Sequence, residues 1–110
     1  MRKLTLAMMV FGSLTAAHAA EKETINYNAV GCKDRETLQK GMGFMHDGDR
    51  EAYTKFFTDK VMAGDCTLLE EGQSVFVEDL SLMAGFACVR PRGETDCYEV
   101  EFEAIQKKPN

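Results

Sequence analysis

The sequence predicts an α+β fold, an N-terminal helical hairpin followed by a small antiparallel β-sheet, held together by two disulfides. Three observations carry this. Leu38, Met42 and Met45 recur at helical spacing, and Tyr53, Phe56, Phe57 and Val61 extend the same kind of apolar face. Val75 and Val77, and later Tyr98, Val100 and Phe102, alternate with polar residues as strands do. Four cysteines in a chain of 110 residues form an even set of the kind that staples short exported domains.

The chain begins as an export precursor. Arg2 and Lys3 give a charged start, Leu4 to Leu14 an apolar run, and Ala17-His18-Ala19 a small-x-small cleavage site. The run is too short for a membrane-spanning helix, which needs roughly 20 residues. A lipid-attachment reading of Ala29-Val30-Gly31-Cys32 fails because the polar stretch Glu21 to Asn28 separates Cys32 from the apolar segment. Residues 1–19 are therefore expected to be removed, leaving residues 20–110 as one exported domain, too short for two. Arg2 and Lys3 leave with the signal, while all 18 Asp and Glu stay, so the exported chain is strongly acidic. That balance argues against nucleic acid and anionic membrane surfaces as partners. No later apolar stretch approaches spanning length.

The helices come next. Asp34 and Asp49 are candidate N-caps and Gly64 a candidate C-cap, which bounds two short helices near 34–46 and 50–63. Gly41 and Gly43 weaken the first of them. The region of about 66–106 is expected to be β: a strand over Ser74 to Glu78, an apolar one over Phe86 to Arg90, and a third from Tyr98.

Between the last two strands, Pro91-Arg92-Gly93-Glu94 offers a tight turn in which Gly93 supplies a positive φ. With Arg92 and Gly93 as a two-residue loop, Cys88 faces Cys97 at a non-hydrogen-bonded position, close enough for a bridge. Ala87 and Val89 then share a face with Tyr98, Val100 and Phe102. Cys88, Cys97, Glu99 and Glu101 take the other, outer face. By elimination Cys32 pairs with Cys66, closing a loop across both helices. The chain-entropy model values that loop at roughly 4 kcal/mol and the hairpin bridge at about 3 kcal/mol. Zinc is disfavoured by the wide cysteine intervals and by His46 as the lone histidine after processing, and a redox Cys-x-x-Cys is absent.

The stretch Leu69-x-x-Gly72-x-x-Val75-x-Val77, followed by Val89-Arg90-x-x-Gly93 and Tyr98-x-Val100, resembles the bacterial SH3-like domains. The resemblance spans Cys66 to Ile105 and implies a small five-stranded barrel serving as a binding or scaffolding module, frequently of the cell envelope. The family often carries a tryptophan just before the last core valine. This chain has Glu99 there and no tryptophan at all, which removes the basis for an aromatic ligand groove.

No catalytic constellation emerges. His46 has no base partner or nucleophile in view, and the Ser and Thr residues lack the partners a nucleophilic triad needs. Asp47-Gly48-Asp49 with Glu51 lacks the twelve-position pattern of a calcium loop and reads as a turn with an N-cap. Two surfaces are candidates for binding. Arg90 and Arg92 sit on a disulfide-held hairpin tip, a rigid place to meet a carboxylate or phosphate group. Glu99, Glu101 and Glu103 form an acidic outer strip suited to a basic protein. Phe76, turned away from Val75 and Val77, either adds an apolar anchor or lies beneath the helices. The sequence thus predicts a periplasmic or secreted non-enzymatic binding or scaffolding module without cofactor or metal, its partner a protein or cell-envelope component. The alternative is an exported hydrolase or hydrolase inhibitor that uses carboxylates or the Arg90/Arg92 hairpin.

Overall fold

The computed structural model describes residues 20–106; the expected signal segment, residues 1–19, lies outside the described residues. The chain runs β1 (Glu21–Thr24), β2 (Ala29–Cys32), α1 (Arg35–His46), α2 (Arg50–Met62), β3 (Cys66–Leu69), β4 (Ser74–Ser81), β5 (Phe86–Pro91) and β6 (Tyr98–Glu101), then a 3₁₀ turn over Phe102–Ala104. All strand pairs are antiparallel, in the order β1-β4-β5-β6-β2-β3. The α+β class and the helical hairpin are as the sequence predicts. Among the described residues, however, the sheet has six strands and two open edges, β1 and β3, so it is not closed into the expected SH3-like barrel. The strands that the sequence pattern missed, β1, β2 and β3, have four residues each, too short to display an alternation.

Each helix starts where its cap dictates. The Asp34 carboxylate accepts from the Thr37 backbone N–H, and that of Asp49 from Ala52 N–H, satisfying donors that have no partner inside the helix. Gly64, at φ +85°, ends α2. Gly41, expected to weaken α1, also permits its packing. A methyl there would fall inside the Phe57 ring, so the absence of a side chain is what brings α1 against α2. Edge-to-face contacts link Tyr53 to Phe57 (4.9 Å), Phe56 to Phe57 (5.3 Å) and Phe44 to Phe56 (5.7 Å).

The two faces of the sheet carry separate cores. On the face away from the helices, Ile25, Leu69, Val75, Ala87, Val89 and Val100 are buried together with Ala104 and Ile105 of the closing 3₁₀ turn. On the helix face, Leu38 and Phe57 pack onto Cys32, Cys66 and Phe86. Both anticipated bridges are present, Cys32–Cys66 and Cys88–Cys97, and no cysteine is free.

The β5–β6 hairpin follows prediction in its turn and departs from it in its register. Glu94 N–H donates to Pro91 C=O (3.1 Å) and Gly93 has φ +88°, as a tight turn requires. Strand pairing does not resume until Tyr98, and Cys88 stands opposite Glu99 rather than Cys97. The bridge therefore spans a diagonal, with α carbons 5.4 Å apart. Because the slip is by two residues, each side chain keeps its predicted face.

Candidate functional site

Side chains on the helix face of β2 and β3 meet the underside of α2 incompletely. Val30 stands opposite Leu68 in the β2–β3 ladder, both on the same face as the Cys32–Cys66 bridge. Above them α2 brings Tyr53, Phe57 and Val61, and at its end Met62. These side chains enclose an apolar groove of about 360 Å³. Met62 remains 82% exposed and Leu68 64%. A shallower depression along Asn28, Ala29 and Glu70 continues it past Leu68. The sequence reading assigned Val61 to a helix face but gave no role to Met62 or Leu68, since single apolar residues at element ends carry no periodic signal.

The same cleft narrows toward a smaller cavity, about 60 Å³, lined by Tyr27, Tyr53, Leu38, Met42 and Glu101. That volume admits a few water molecules. Burial raises the Glu101 carboxyl above its usual range, neighbouring Glu103 adds to the rise, and His46 opposes it. Burial likewise raises the phenols of Tyr27 and Tyr53, with Glu101 contributing to each. The two phenols thus stay protonated hydrogen-bond donors beside a carboxyl. The lining holds no Lys, Arg, His, Ser or Cys.

The candidate residues from the sequence fall into three places. Phe76 and Arg90 are cross-strand partners on β4 and β5, with the guanidinium stacked 4.8 Å from the ring centre. Arg90 Nε also donates to the Glu78 carboxylate, and Phe76 is half-buried beside Arg90 rather than beneath the helices. Arg90 is thereby engaged within the sheet surface, while Arg92 stands exposed at the tip.

Glu99 and Glu101 do not form the expected solvated outer strip. Helix α1 packs on that face, and Arg35 from its first turn reaches down to Glu99 (Nε to Oε1, 3.1 Å), to the Ser81 hydroxyl (Nη2, 3.0 Å) and over the Phe86 ring (5.3 Å). The Glu99 side chain keeps 13% of its exposure. Faces were legible from the alternation, but which face the helices would cover was not. Only Glu103 is exposed, beyond the strand's end.

Among the described residues no group of three or more His, Cys, Asp or Glu side chains could hold a metal ion, and no helix is long and apolar enough to cross a membrane. Two disulfides with no free cysteine suggest an oxidising, non-cytoplasmic setting. No protein-family model, curated protein or solved structure matches this chain.

Proposed function

We propose that this protein is a small exported, disulfide-stabilised binding module of the cell envelope that works by noncovalent contact and carries out no reaction of its own. The observation that carries the reading is the groove between α2 and β3: an apolar, open concavity with two large hydrophobic side chains left in solvent at its rim. Its floor is rigid, because the Cys32–Cys66 bridge ties β2 to β3 under the same helix. A preformed surface loses little freedom on binding, which favours affinity over area.

The test is a pull-down from envelope extracts with the exported, oxidised protein, run beside Met62→Lys/Leu68→Lys and Arg90→Ala/Arg92→Ala variants. The groove variant is expected to lose partners that the arginine variant keeps. The reverse pattern would move the site to the hairpin tip. Hydrolytic turnover with no retained partner would replace this reading with an enzymatic one.

A further inference from the structure

Among the described residues the groove borders an open strand edge, and the register determines what that edge offers. Lys33 N–H donates to Asp65 C=O (2.9 Å), which makes these two a hydrogen-bonded pair of the β2–β3 ladder. Alternation then makes Gly31/Thr67 and Ala29/Leu69 bonded pairs, and Cys32/Cys66 and Val30/Leu68 the intervening open ones. The 3.9 Å separation of the Cys32 and Cys66 α carbons fits the closer, open class. Residues of open pairs turn their N–H and C=O away from their partner. Cys66 and Leu68 therefore direct their backbone donors and acceptors to the free side of β3. Leu68 also points its side chain along the groove.

The two edges of the sheet differ in their defences. Strand β1 carries Glu21, Lys22 and Glu23, the charged residues with which edges repel added strands. Strand β3, Cys66-Thr67-Leu68-Leu69, has no charge, proline or bulge. An added strand would bond to Cys66 and Leu68 and lay every second side chain beside Leu68 and Met62.

Charge selects the occupant. Asp65 precedes β3 and Glu70 and Glu71 follow it, all three exposed. Lys33, next to Asp65 across the ladder, is turned to Asp96 at 3.6 Å. A second copy laid antiparallel along β3 would set its Asp65 against these glutamates, like charge against like. A strand with basic ends meets no such opposition.

We propose that β3 captures an extended peptide segment of a partner protein, one with alternating apolar residues between flanking Lys or Arg, by strand addition beside the α2 groove. This rests on the binding-module reading and names its partner class. The test uses the exported, oxidised protein, ¹⁵N-labelled, titrated with a synthetic peptide that has a Val-Thr-Leu-Thr-Val centre between lysine pairs, and with its glutamate-flanked counterpart.

The lysine peptide is expected to shift the amides of residues 65–69 and of the end of α2. It is expected to bind about tenfold or more tighter than the glutamate peptide, with the gap narrowing as salt rises. Leu68→Lys should abolish these shifts, and Asp65→Lys/Glu70→Lys/Glu71→Lys should reverse the peptide preference. All four positions are exposed, so the fold is retained, and spectral dispersion checks it. Equal binding of both peptides at β3 overturns the charge selection and leaves the binding-module reading standing. Shifts confined to other residues overturn strand addition. Concentration-dependent shifts at 65–69 without peptide assign the edge to a second copy and overturn the proposal.

Discussion

On the face away from the helices the strands and the 3₁₀ turn pack together, with Val75, Val89, Val100 and Ala104 wholly buried. On the helix face the cover is thinner: five buried residues, two of them bridged cysteines, surrounded by a rim of half-buried Val30, Met42, Tyr53, Phe56 and Val61. The first core gains stability from close packing alone. The second supplements a small apolar area with a covalent tie, which lets it remain open at the groove without losing the helices. A domain of this size buries limited apolar surface, and the bridge secures the side on which Met62 and Leu68 stay in solvent.

That contrast can be broken most severely at the tie. Cys32→Ala/Cys66→Ala is expected to lower stability by about 4 kcal/mol. Amide hydrogen exchange should rise first in α1 and α2, with β4, β5 and β6 the last protected. Uniform loss of protection would show that the two cores are one cooperative unit.

Gly41→Ala comes next. Its methyl must displace the Phe57 ring, at a cost of about 2 kcal/mol in denaturant unfolding, the scale of an overpacked core. Phe57→Leu in the same chain should recover part of the loss, so that the pair is less destabilised than the sum of the singles.

Arg35→Met removes the link from α1 to Glu99 and Ser81 while keeping the length of the side chain. With both members partly in solvent, about 1 kcal/mol is expected, measured by urea midpoint.

Glu101→Gln should give the smallest change, and it should depend on pH. Burial raises the folded carboxyl above its unfolded value, so the native state holds its proton to higher pH than the unfolded chain does. Stability is lost as pH climbs from the ordinary carboxylate range through the raised value. The glutamine variant should therefore gain on the wild type at neutral pH and show no gain in acid. A gain that persists in acid would locate the effect outside this titration.

The sequence made the helices legible because Asp34 and Asp49 cap them and the apolar spacing lies between. It made the bridges legible because Gly93 fixed a turn close to Cys88 and Cys97. The barrel expectation failed for a different reason: closure depends on whether the first and last strands of the sheet meet, and β1 and β3, four residues each, carry no pattern that says so. For the candidate site, Phe76 and Arg90 were individually visible, while their stacking required the cross-strand register. The groove itself was invisible. It arises where Met62 ends a helix and Leu68 sits in a short strand, positions that become one surface only after folding.

The two-residue slip in the β5–β6 hairpin bears on which errors of pairing the chain tolerates. Alternation repeats every two residues, so a shift of the β5–β6 register by two leaves Tyr98 and Val100 in the core, while a shift by one would turn Glu99 and Glu101 inward in their place. Arg92 to Asp96 is unpaired, so its length can change without moving that register, provided that the Cys88–Cys97 bridge still closes the loop.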